Sequence, residues 1–246
     1  MEPASNGEYF LLDNAIACSG DSEFIYLDGG ANIGSNVDYL EAKSISDNKA
    51  LRIIAVEAIS DTFKRLVGVE RLPSTVCLNA ALGSTRGSVE FFVDTASPGS
   101  GANSVYQHYY LRGAGRQTVA QTTIDEIAKA QGLARVNFIK LDIEGSELEA
   151  LRGARGLIGD GLVDFIQMEY NQTWIAARVS LYDVFEFFEP YQYQLYKVIP
   201  RGLLRMGSYH YTLDDFYFSN ILAVRPGCPI PVKCFREVSP LIDNEF

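Results

Sequence analysis

The sequence predicts an α/β fold, a mostly parallel sheet with helices on both faces. Two observations carry this. Short apolar runs alternate along the chain with stretches of helical character, the pattern of strand–helix–strand units. The runs are apolar nearly throughout rather than at every second residue, which suits strands buried on both sides. A third observation places a ligand. Successive runs end in an acid, an amide or a glycine, and ligands in open sheets of this kind bind at the carboxyl ends of the strands.

The elements follow in order. FIYLDGG (24–30), ALRIIAVEA (50–58), TVCLNAALG (75–83), VNFIKLDIEG (136–145) and LVDFIQMEYN (162–171) read as five strands. Helices are expected at 33–45, 60–70, 123–132, 146–157 and 179–189. One helix start is explicit. Thr123 stands three residues before Glu126, the spacing of a capping box, and Gly132 stands where a C′ glycine would end the helix. After residue 190 the rhythm changes. YQLYKVIP and DDFYFSNILAV read as an antiparallel hairpin at the sheet edge, joined by an irregular Tyr-rich loop. The expected division is an N-terminal extension at 1–23, one domain at 24–226 and a Pro-rich tail at 227–246.

Composition removes several function classes. The 246 residues are 47% hydrophobic and 21% charged, ordinary globular usage. No apolar run reaches the ~20 residues a membrane span needs, and no signal peptide is visible, so a cytoplasmic enzyme is expected. Twenty-one Lys and Arg against 31 Asp and Glu leave a net charge of −10, which repels nucleic acid and anionic membranes. Two histidines, His108 and His210, are too few for a multi-histidine metal centre. None of the four cysteines forms a C-x-x-C pair, and free thiols are expected. Cys228 and Cys234 would pair only in an oxidising compartment.

The strongest signal is Asp28-Gly29-Gly30-Ala31-Asn32-Ile33-Gly34, between the first strand and a helix. Glycines there let a ligand approach the backbone at a helix N-terminus. The spacing is not the G-x-G-x-x-G of dinucleotide binders, and an acid closes the strand. An acid repels a pyrophosphate and attracts an ammonium group, which points to S-adenosylmethionine rather than NAD. Glu57 ends the second run, where an acid binds ribose hydroxyls. Asn79 ends the third, placed to read adenine. Lys140-Leu141-Asp142-Ile143-Glu144-Gly145-Ser146-Glu147 ends the fourth. Lys140 is expected to pair with an acid under the site, and Glu147 to favour a helix first turn.

These motifs resemble the FkbM-type S-adenosylmethionine-dependent methyltransferases. The resemblance runs through YLDGGANIGSN, AVEAIS, LNAALGSTRGSVEF, TTIDEI, FIKLDIEGSELEALRGA and FIQMEYN, about residues 24–171. It implies a Rossmann-like class I methyltransferase fold, a seven-stranded sheet with the last strand inserted antiparallel. It implies O-methylation of a hydroxyl on a carbohydrate, a deoxysugar or glycan. A polyketide, lipid or other small hydroxylated metabolite is the alternative acceptor, and a non-catalytic binding module the third reading. By similarity, Asp28, Gly29, Gly30, Ala31, Asn32, Gly34, Glu57, Ala58, Asn79, Ala80 and Asp142 would hold the cofactor. Asn103 and Ser104 would lie near the acceptor. The short leading segment is compatible with one module of a longer multidomain enzyme.

An alcohol is a poor nucleophile, so a base is needed. Asp142, Glu144 and Glu169 are the acid candidates, and His108, in a long loop, is a fourth. Asp142, Glu169 and Asn171 loosely match the acid/acid/amide set that holds magnesium in catechol-type and some sugar O-methyltransferases, with oxygen ligands suited to a hard cation. Asn171, Tyr209 and His210 are candidates for the acceptor wall.

Overall fold

The computed structural model describes residues 6–20, 23–94, 101–111, 115–230, 232 and 234–235. The chain opens with α1 (Glu8–Cys18) and β1 (Glu23–Gly29), then α2 (Ser35–Asp47), β2 (Ala50–Glu57), α3 (Ser60–Leu66), β3 (Thr75–Asn79) and β4 (Ala81–Leu82). There follow β5 (Gly87–Val93), β6 (Gly115–Thr122), α4 (Ile124–Ala130), β7 (Val136–Leu141), α5 (Glu147–Arg152) and α6 (Arg155–Gly159). The last part holds β8 (Val163–Tyr170), α7 (Thr173–Ala177), α8 (Leu181–Phe188), β9 (Gln194–Ile199), β10 (Gly202–Met206), β11 (Ser219–Val224) and β12 (Cys234–Phe235).

Among the described residues the main sheet has nine strands in the order β12-β10-β9-β11-β8-β7-β1-β2-β3. The block β8-β7-β1-β2-β3 is parallel throughout. β11 lies between β8 and β9 and is antiparallel to both. The seven-strand expectation is therefore corrected to nine. Gly202-Leu-Leu-Arg-Met206, read in the sequence as loop, pairs with β9 and extends the edge, and β12 adds to it. The expected edge hairpin also differs. Its two strands, β9 and β11, do pair, but β11 sits inside the sheet and β10 lies at the outer side of β9.

Both faces are covered. One face of β1, Ile25 and Leu27, packs with Ile54, Ile139 and Met168 beneath residues of α4, α5, α6 and α8. The alternate residues Phe24 and Tyr26 pack with Ile53, Phe138 and Phe165 beneath α1, α2 and Leu66 of α3. Strand alternation produces this division. The segment read as an extension thus supplies part of that cover, through Leu11, Leu12, Ala15 and Ile16.

Local signals explain the helix ends. Thr123 accepts from the Glu126 backbone N–H at 3.1 Å and Glu126 reaches back, so α4 starts on the expected capping box. Gly132 has φ of 63° and follows the C-cap. The expected helix at 146–157 is two helices. The two divide at Gly153, where a Cβ would stand 2.1 Å from the carbonyl oxygen of Gly83. The run at 75–83 also divides, since β3 joins the main sheet and β4 joins β5 and β6 in a second sheet of three strands. Cys18, Cys77 and Cys228 are free thiols, as expected, and the side chain of Cys234 lies outside the described residues.

Candidate functional site

A cavity of about 580 Å³ opens at the carboxyl ends of β1, β2, β7 and β8. Its first wall is the glycine turn. Gly30, Ala31 and Asn32 line it, and the N–H groups of Gly30 and Ala31 both donate to the Val56 carbonyl at 3.0 Å. Gly30 has φ of 83°, and a Cβ there would stand 1.9 Å from the Asp142 carbonyl oxygen. Only glycine allows that approach.

Glu57 forms the second wall. Its Oε2 accepts from the Asn32 N–H at 3.0 Å and its Oε1 from the Ile59 N–H at 2.8 Å. Each oxygen keeps a lone pair for a hydroxyl donor. Burial raises its pKa, and the two N–H bonds oppose the rise. Ala58 and Ala80, expected by resemblance to hold the cofactor, line the cavity with Ile59, Leu82 and Phe91.

The third wall is acidic. Asp142, Glu144 and Glu169 present carboxylate oxygens within 4.8 Å of one another. Lys140 Nζ donates to Asp142 Oδ2 at 2.8 Å, the pairing expected from the sequence. Glu144 has φ of 53°, an uncommon conformation for a non-glycine residue. Burial, with the charge of Asp142, raises its pKa to about 7. Burial pushes Glu169 well up too, with Asp142 and Glu144 adding to the rise.

Several expected site residues lie outside the cavity lining. Asp28 is fully buried beneath it, with Oδ2 unpartnered and its pKa raised to about 6 by burial. Gly29 packs against Leu82 and Leu141, and Gly34 against Arg71 and Leu66. The Asn79 amide donates to the carbonyls of Glu57 and Ala58 at 2.9 and 3.0 Å, so it braces the β2 turn. Ser104 is buried and donates to the Glu144 carbonyl at 2.6 Å, which pins its loop to the acidic wall. Asn103 does line the cavity. His108 stays in its own loop, with Nε2 2.9 Å from the Ala102 carbonyl, and burial lowers its pKa. Residues 95–100 and 112–114 of that loop lie outside the described residues.

The expected metal set is also altered. Asn171 Oδ1 accepts from the N–H and the hydroxyl of Thr173, both at 2.7 Å, while its Nδ2 donates to Glu169 Oε1 at 2.7 Å. Asn171 thus closes the turn that leads into α7 and orients Glu169, and Glu144 takes the third place in the acid cluster. Glu147 accepts from the N–H groups of Ile143 and Gly145 at 3.0 and 2.9 Å, so it braces the loop under Glu144. Tyr209 donates to Asp214 at 2.8 Å, and His210 pairs with Thr212 at 2.9 Å, both away from the cavity. Phe218, a few residues on, lines it instead. Sequence spacing missed Phe218, and Glu8 of α1 was missed as well. Phe218 directly precedes β11, whose residues are all buried, so no alternation marks it, and nothing local marks Glu8.

Among the described residues no helix is long and apolar enough to cross a membrane. A relative from Haloferax volcanii, hexuronic acid methyltransferase AglP, is 28% identical over 153 residues, covering 61% of this chain and 57% of the relative. The crystal structure of methyltransferase FkbM from Methylobacillus flagellatus KT superposes with a TM-score of 0.50 at 18% identity, over 82% of this chain and 44% of that one. The chain thus spans little more than half of the first protein and less than half of the second. The model of the methyltransferase FkbM domain matches residues 28–195, which include the glycine turn, Glu57 and the whole acidic wall. The chain belongs to the FkbM methyltransferase family.

Proposed function

We propose that the chain is an S-adenosylmethionine-dependent O-methyltransferase acting on a carbohydrate hydroxyl. The observation that carries this is one cavity uniting the Gly30–Asn32 turn, the Glu57 carboxylate and the Asp142, Glu144 and Glu169 cluster. The residues fit the cofactor. Glu57 has lone pairs left for ribose hydroxyls, the glycine turn has no Cβ in the way, and the acidic wall suits a cation. When bound, the cofactor supplies a methyl group on a positively charged sulfur. The hexuronic acid methyltransferase among the relatives supports a carbohydrate acceptor.

The remaining chemistry belongs to the chain. Asp142, held by Lys140, places a carboxylate at the end of β7. Glu144 is the proton acceptor, because a base with a pKa near 7 is matched to neutral pH. A Glu144 carboxylate oxygen would take the proton of the acceptor hydroxyl as that oxygen replaced sulfur on the methyl carbon, the electron pair of the broken carbon–sulfur bond leaving on sulfur. Burial and the charges of Asp142 and Glu144 push Glu169 toward its protonated form, in which its hydroxyl would donate a hydrogen bond. Phe218 offers an apolar ring to the acceptor side.

Methyl transfer from labelled S-adenosylmethionine to a panel of neutral sugars, uronic acids and hydroxylated polyketides tests the reading. Transfer to sugars with release of S-adenosylhomocysteine is expected. Transfer confined to the polyketides would replace the acceptor class, and transfer to a nitrogen or carbon acceptor would remove the O-methylation.

A further inference from the structure

The cavity holds one charged group from outside the residues matched by the family. Glu8, in the first turn of α1, lines it beside Lys140 and Asp142 although only 8% of the residue is exposed. Its Oε1 accepts from Asn6 Nδ2 at 2.5 Å and from Asn220 Nδ2 on β11 at 3.1 Å, and its Oε2 lies 3.9 Å from Lys140 Nζ. The helix is held in register. Gly7 has φ of 99°, and a Cβ there would stand 2.4 Å from the Ile199 carbonyl on β9. Four apolar residues of α1 then pack on the sheet.

A buried carboxylate is costly unless paired, so this placement needs a partner. Lys140 is that partner, and it is shared. Its ammonium sits between Asp142 at 2.8 Å and Glu8 at 3.9 Å. Burial works against the Lys140 charge, but Asp142, Asp28 and Glu8 hold its pKa above the ordinary value. Without Glu8 the ammonium would offset the Asp142 charge more completely. With it, the floor of the cavity keeps a negative surplus.

Resting on the cofactor reading above, we propose that Glu8 is a positioning residue of the cofactor site. It shares Lys140 with Asp142 and so leaves Asp142 negative toward a sulfonium. The charge distinguishes two ligands of nearly equal shape. S-adenosylmethionine carries the positive sulfur, and S-adenosylhomocysteine does not.

Calorimetric titration with both ligands tests this, with thermal melting alongside. Glu8→Gln keeps an oxygen for Asn220 but loses the charge. It is expected to weaken S-adenosylmethionine by about five- to tenfold and S-adenosylhomocysteine by less than about twofold. Glu8→Asp should restore the ratio of the two affinities to near that of the wild type. Ile16→Val, on the same helix, should lower the melting temperature by a few degrees with the ratio unchanged. Should Glu8→Gln fail to fold, the double variant Asn6→Ser with Asn220→Ser removes both amides from the carboxylate and is expected to lower the ratio by about twofold. An unchanged ratio in the folded Glu8→Gln protein, or in that double variant, overturns the proposal. So does a loss of ratio in Glu8→Asp or Ile16→Val equal to that in Glu8→Gln. A wild-type protein that binds neither ligand overturns the cofactor reading itself, and this proposal with it.

Discussion

Glu144 is where backbone and charge converge. A non-glycine residue at φ of 53° costs of order 1–3 kcal/mol, and such strain clusters at functional sites. Its loop is braced two ways: by Glu147 on the N–H groups of Ile143 and Gly145, and by Ser104 on the Glu144 carbonyl. Glu144→Gln should therefore lower kcat by about 10²–10⁴-fold, with S-adenosylhomocysteine affinity changed by little. A base must be deprotonated to act, so the wild-type rate should rise with pH through about 7. That limb should vanish in whatever activity Glu144→Gln retains. A pH–rate profile of both proteins checks this, and an unchanged limb removes Glu144 as the base. The sequence marked Glu57, Asp142, Glu144 and Glu169 because each follows or ends an apolar run, and the cavity collects all four. It misplaced Asn79, Asn171, His108 and Tyr209 because neighbouring backbone or side chains already take up their polar atoms. Residue type cannot reveal that engagement.

Turns and helix ends carry the next lesson. The capping box on α4 was readable because its two partners are three residues apart. Thr123→Ala should cost about 1 kcal/mol, a fall of roughly 2–4 °C in melting temperature for a chain of this size. An unchanged melt would show that the cap contributes nothing. The β1–α2 turn is stricter. Gly30→Ala would press a Cβ onto the Asp142 carbonyl at a positive φ. Titration should show S-adenosylmethionine binding lost by more than tenfold, and retained affinity would contradict the tight turn. The need for glycine at the 146–157 division was not readable, since the group that excludes a Cβ from Gly153 is the Gly83 carbonyl, seventy residues earlier. The split of 75–83 between two sheets has a similar origin. β4 pairs with β6, a strand forty residues further on.

The whole molecule is organised around buried acids at one sheet edge. The parallel block was legible because buried parallel strands are apolar throughout, and β11 was legible as a strand. The added edge of β10 and β12 was not, because GLLRM is too short and mixed to stand out among loops. Burial raises Asp28 to about 6, Glu144 to about 7 and Glu147 to about 8. Each binds more protons folded than unfolded between its ordinary value and its raised one. Stability therefore falls as pH rises across that window. His108, lowered by burial, acts in the opposite direction below its ordinary value, and the three carboxyls outnumber it. The melting temperature of the ligand-free protein should be higher near pH 5.5 than near pH 8. A melt that rises with pH would contradict the buried, raised carboxyls.

The most direct measurement is a crystal structure with S-adenosylhomocysteine soaked in. The expected result is a ligand whose ribose hydroxyls donate to Glu57 and whose sulfur faces the wall of Asp142, Glu144 and Glu169. A ligand bound elsewhere, or one that leaves Glu57 without a ribose contact, would contradict the assignment of this cavity.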